Sequence, residues 1–154
     1  MIDAVTTTHI RMDYYQSDDQ HTLMITPDEA DQFWDWFQNN AVAMQVDGAA
    51  GIQNSLYVVG ECFHNAQTEA VQNGSRYAEG FMVVNGHNYL HAFNLIGGQA
   101  ADVTVNSHPD TFRQDNGALP NQYYGLEIPQ DFIGAPGNIC LLRRYFLAAM
   151  NPAP

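Results

Sequence analysis

Cys62 stands where a helix is expected to begin, and His91 and Asp102 follow it along the chain. A thiol in the first turn of a helix feels the positive end of the peptide dipole and unpaired N–H groups, a setting that favours the thiolate nucleophile. Acyl transfer through a thiolate needs a base that also carries a proton, and the imidazole needs an acceptor that fixes its tautomer. His91 can supply the first and Asp102 the second. Counting tests whether they meet. If Gly97-Gly98 is a two-residue turn, Ile96 faces Gln99, Phe93 falls opposite Asp102, and His91 lies two residues from Phe93. The pair is then predicted on one face of adjacent strands, as diagonal neighbours ~7–8 Å apart at the backbone. A slip of one residue would place them on opposite faces.

The elements that must hold these groups follow from the surrounding pattern. Phe63, Ala66, Ala70 and Val71 give a helix from Cys62, and Asn73-Gly74 supplies its left-handed stop. Strands are predicted over Arg76 to Val84, Tyr89 to Ile96 and Gln99 to Val105, separated by Asn85-Gly86-His87-Asn88 and by Gly97-Gly98, both hairpin signals. A further strand is expected at Gln122 to Ile128 and a terminal helix at Ile139 to Met150. Upstream of Cys62, Gly48 to Ser55 reads as a Gly/Ala/Asn loop, and Leu56-Tyr57-Val58-Val59 as a short apolar run ending at Gly60. The β-branched, weakly alternating stretch from Asp3 to Tyr15 predicts a strand. Thr26-Pro27-Asp28-Glu29 predicts a capping box and a helix running to about Met44, with Phe33, Phe37, Ala41 and Met44 on one buried face and Trp34 beside them.

Gly60-Glu61-Cys62-Phe63-His64-Asn65-Ala66 resembles the G-x-C-x-x-x-A nucleophile segment of the transglutaminase-like group within the papain-like cysteine-enzyme superfamily. Gly74-Ser75-Arg76-Tyr77-Ala78-Glu79-Gly80-Phe81 resembles that family's helix-to-strand passage, His91-Ala92-Phe93 its H-A-W segment, and Asp102-Val103-Thr104 its D-x-T segment. Together they span residues 60 to 104. The resemblance implies an α+β fold with a compact papain-like or transglutaminase-like core, the nucleophile helix packed on an antiparallel sheet. It also implies Cys62 as nucleophile, His91 as general base and Asp102 as orienting acid, with no cofactor. Phe93 stands where Trp is usual and Val103 where Pro is common.

The same chemistry needs an oxyanion hole, for which the backbone N–H of Cys62 is one candidate donor and the side chains of Gln53 or Asn54 a second. Gln53 and Asn54 resemble the glutamine that papain-like enzymes place before their cysteine. Cys140, within Ile139-Cys140-Leu141-Leu142, reads as an inert core thiol. His64, two positions from Cys62 on one helix, points away from it. His87 reads as a turn residue, and His9, His21 and His108 have no evident partner. A zinc site from His87, His91, Asp102 and Cys62 is the competing use of these residues, disfavoured because no compact ligand pair such as C-x-x-C or H-E-x-x-H occurs.

Composition bounds the rest. The 154 residues suit one domain, residues 1–154, and 45% hydrophobic with 12% aromatic content excludes global disorder. Acidic residues number 17 against 5 basic ones, all arginine, for a net charge of −12. That balance repels phosphate backbones, so nucleic acid is not expected as a partner, whereas basic or amine-bearing peptides are attracted. No apolar run approaches the ~20 residues of a membrane span, and no basic-then-apolar leader follows Met1. A cytoplasmic protein, or one delivered without a classical signal peptide, is therefore expected, and two distant cysteines fit a reducing compartment. The missing lysines fit an acidic, lysine-poor host, or an enzyme that avoids carrying a reactive amine itself. The expected function is cysteine-dependent acyl transfer on a peptide or glutamine carboxamide of a protein or peptide substrate, as a peptidase, deamidase or transglutaminase. The alternative is a non-catalytic acidic binding or inhibitor module on the same fold. Oligomeric state is left open.

Overall fold

A computed structural model describes residues 1–46 and 53–152. The loop expected at Gly48 to Ser55 lies largely outside the described residues. The N-terminal segment is helical: α1 runs Ala4–Gln16, with Asp3 capping it by accepting from Thr6 N at 2.7 Å. Thr7 and Thr8 turn their hydroxyls back onto the carbonyls of Asp3 and Ala4. A threonine run that argues for a strand is thus accommodated in a helix by back-bonding, and burial falls on Thr7, Ile10 and Tyr14, a helical spacing. The strand expected from Asp3 to Tyr15 is corrected accordingly.

A short α2 (Gln20–Leu23) precedes α3 (Ala30–Asn40), which buries Phe33, Trp34, Trp36 and Phe37. Glu29 accepts from Thr26 N at 3.0 Å, one half of the capping box, and Asp28 and Glu29 form the turn before the helix. Met44, expected at its end, lies instead in β1 (Val42–Gln45) and packs in a different core. Extended backbone at Ala41, leading straight into β1, ends the aromatic helix four residues early.

Then come α4 (Cys62–Asn73), β2 (Arg76–Val84), β3 (His87–Ile96), β4 (Gln99–Ala101), α5 (Val103–Ser107), α6 (Pro109–Phe112), β5 (Gln122–Ile128) and α7 (Leu142–Met150). Gly74 stops α4 at φ 72°, and Ile96 pairs Gln99 as the two-residue turn requires. The strand expected to reach Val105 ends at Ala101, and the helix expected from Ile139 begins at Leu142. The five strands run antiparallel in the order β1-β5-β2-β3-β4. The sheet curls until its two outer strands touch in a bridge between Val46 and Ala100.

Strand alternation sorts the side chains into two cores. Tyr77, Phe81, Leu90 and Ala92 join the aromatic helix residues on the outer face, where α4 packs against β2 and β3. Ala78, Met82, Phe93, Leu95 and Tyr123 fill the inside of the curl. Gly80 and Gly125 face each other where β2 and β5 cross most closely. Beyond β4 the outward amides of β3 meet no strand: Asn88 N donates to Asp13 Oδ2 at 2.7 Å and Leu90 N to Asp19 Oδ2 at 2.9 Å. Among the described residues, no helix is long and apolar enough to cross a membrane.

Candidate active site

His91 sits on β3 directly opposite Gly80. Its Nε2 meets Asp102 Oδ2 at 2.7 Å, and both residues are almost fully buried, at 4% and 1% exposure. The diagonal placement counted from the Gly97-Gly98 turn is the one found. The supporting element differs: Asp102 is the N-cap of α5, its Oδ1 accepting from Val105 N at 3.2 Å. That second bond fixes the carboxylate more firmly than a strand position would, because the helix start satisfies one oxygen and leaves the other to the ring.

With Nε2 engaged by Asp102, Nδ1 is the nitrogen left free, and Cys62 lies near enough to the ring to act on its charge. Cys62 is the first residue of α4 and half-buried. No side chain caps that helix, so the first-turn amides are not claimed by Glu61. Burial works to lower the pKa of His91, but the Asp102 carboxylate and the Cys62 sulfur outweigh it and hold the ring well above its ordinary value. The rings of Phe112 and Tyr123 flank it, each 6.4 Å away between centroids.

Tyr123 was not expected here. Its hydroxyl donates to Asp102 Oδ2 at 2.7 Å, so one oxygen serves both the tyrosine and the histidine. The strand carrying it is apparent from sequence, but its place between β1 and β2 is not, and without that place Tyr123 has no visible partner. Asn65 was also missed, although it stands one helical turn beyond Cys62. Its amide takes Val58 N at 3.3 Å and donates to Val58 O and to Thr104 Oγ1, both at 2.9 Å. One side chain thus ties the loop before the cysteine, the cysteine helix and the aspartate helix together. Asn65→Ala is expected to destabilise the fold by about 2 kcal/mol, because it strands several buried polar groups at once. A urea midpoint within 0.5 kcal/mol of the parent, by the approximate scale of neutral surface changes, would count against that role.

Asn54 serves its own loop: its Oδ1 accepts from Leu56 N at 2.9 Å and its N–H donates to Ser107 Oγ at 3.0 Å. Gln53 is exposed, and among the described residues neither side chain hydrogen-bonds to Cys62 or His91. His64 is exposed, and His108, expected to be unpartnered, donates to the carbonyl of Tyr57. His87 stands apart from the Cys62–His91 pair, 3.4 Å from Asp13, and among the described residues no three His, Cys, Asp or Glu side chains gather to hold a metal ion. Cys140 is half-buried and donates to Glu79 Oε1 at 3.1 Å, a hydrogen-bonded thiol rather than a purely apolar one. The chain matches no protein-family model, no curated protein and no solved structure.

Proposed function

We propose that the protein is a thiol hydrolase or acyltransferase working through Cys62, His91 and Asp102 without a cofactor. The observation that carries this reading is a buried imidazole bonded at 2.7 Å to a carboxylate that a helix cap fixes, with a thiol at the start of a helix near enough to act on the ring's charge. The chain order Cys, His, Asp, with the cysteine helix packed on an antiparallel sheet, supports kinship with papain-like and transglutaminase-like cores.

In the proposed reaction the Cys62 sulfur attacks the carbonyl carbon of a carboxamide or peptide bond. The amides at the start of α4 receive the oxyanion, the C–N bond breaks, and the proton on His91 goes to the departing amine, leaving a thioester. Water or a primary amine then attacks the thioester, His91 takes its proton, and the thiol leaves. Water makes the protein a peptidase or deamidase, and an amine makes it a transglutaminase. The buried Asp102 holds the ring in the tautomer that exposes Nδ1 to the sulfur. The charge of −12 favours basic or amine-bearing substrates, and it equally suits the alternative, an acidic binding module in which Cys62 is dispensable.

Limiting iodoacetamide separates them. Cys62 is expected to be alkylated at least about tenfold faster than Cys140 at neutral pH, since nucleophilicity follows thiolate character and burial pushes the Cys140 thiol well up. His91→Ala is expected to erase most of that advantage. Equal labelling, or Cys140 first, rules out an activated Cys62.

A further inference from the structure

The loop before Cys62 combines rigidity with exposed aliphatic surface. Tyr57 is buried, its hydroxyl donating to Glu69 Oε2 at 2.6 Å, its N–H to Asn54 O at 3.0 Å, and its carbonyl accepting from His108. Val58 is held on both backbone atoms by Asn65, and Glu61 N closes the turn onto Val58 O at 3.2 Å. Between these anchors Leu56, Val58 and Val59 are 82%, 51% and 42% exposed. Single exposed aliphatics are ordinary, but three within four residues, on backbone fixed by buried polar side chains and a few residues from the nucleophile, form a preorganised apolar surface.

We propose that Leu56, Val58 and Val59 form an apolar subsite that receives an aliphatic side chain of the acyl substrate, next to the carbonyl that Cys62 attacks. The proposal rests on Cys62 being the nucleophile. Val58 is bonded to Asn65, one helical turn beyond Cys62, and Glu61 N closes onto the Val58 carbonyl, so the loop that carries the three side chains runs directly into the start of the nucleophile helix. A second copy of the protein is the weaker occupant on two counts. Three side chains bury far less than the roughly 1,200 Å² of a stable interface, and two molecules of charge −12 repel each other. A neutral or basic peptide meets neither obstacle.

The test uses peptidyl chloromethyl ketones in which leucine occupies each of the three positions before the electrophilic carbonyl in turn, every probe paired with a glutamine control. The leucine probe is expected to alkylate Cys62 about tenfold faster than its control at one of these positions, the range a single aliphatic side chain commands. Leu56→Asn with Val58→Thr is expected to bring that ratio to near one. Because the ratio is taken within one protein, it is independent of any change in thiol reactivity. Leucine and glutamine probes reacting equally at every position, while iodoacetamide still prefers Cys62, would overturn the subsite and leave the nucleophile standing. Loss of the iodoacetamide preference overturns the nucleophile, and the subsite with it. A concentration-dependent dimer that Leu56→Asn abolishes would assign the surface to self-association and overturn the proposal.

Discussion

Gly80→Ala is expected to cost about 4 kcal/mol of stability or more, at the far end of what single substitutions do. A methyl group on Gly80 would lie 2.0 Å from Tyr124 O and 2.5 Å from Gly125 Cα. Both neighbours are backbone, so no rotamer change relieves the contact, and β2 and β5 would have to part along the ladder that joins them. The separation would also reach the site, because Gly80 pairs with His91 on its other side. Gly134→Ala is the control, since a methyl group there meets nothing within 4 Å. Denaturant midpoints should place the control close to the parent and Gly80→Ala far below it, or unfolded. A Gly80→Ala protein within 1 kcal/mol of the parent, roughly the effect of an average substitution, would refute the close crossing.

The second large effect concerns pH. Glu79 is fully buried on β2, bonded to Tyr77, to the Cys140 thiol and, through both oxygens at 3.0 and 2.8 Å, to Leu141 N just before α7. Burial raises its pKa, the hydrogen bonds from Tyr77 and Leu141 oppose it, and the result is a rise from 4.5 to about 7. Between those values the folded protein holds a proton that the unfolded chain has released. Stability from this group is therefore fully present below pH 4.5, falls as pH rises, and is lost above about 7, a change of about 3 kcal/mol. His91, also raised, acts in the same direction in a higher window, above 6.5. Unfolding free energies of the parent and Glu79→Gln, measured from pH 4 to 8, should converge or cross because only the parent carries this slope. Parallel curves would show that Glu79 titrates as an ordinary carboxyl.

The strand phases and the paired turns could be read from residues 60 to 104, because hairpin registers follow local rules: Gly97-Gly98 sets Ile96 opposite Gln99, and everything up to Asp102 follows by counting. The N-terminal helix could not, since Thr7 and Thr8 satisfy a helix only by bonding back to carbonyls, an option that side-chain periodicity does not register. Tyr123 and Glu79 escaped notice for a different reason. Their partners come from distant parts of the chain, and the order β1-β5-β2 that brings β5 to the centre leaves no trace in local spacing. Asp102 was placed correctly in space and wrongly in structure, being a helix cap where a strand residue was expected.

The carboxylates of Asp13 and Asp19 on the outward amides of β3 bear on self-assembly. A bare strand edge is a template on which another chain can add its own strand. Here the donors at Asn88 and Leu90 already have acceptors, and each acceptor sets a negative charge where an incoming backbone would have to settle. The two plugs are unequal in acid. Burial works to raise Asp13, but bonds from Asn88 and His87 hold its carboxyl below the usual range, whereas burial leaves Asp19 above it. As pH falls, the guard at Leu90 is neutralised before the guard at Asn88, so the edge loses its charge first at the residue beside His91.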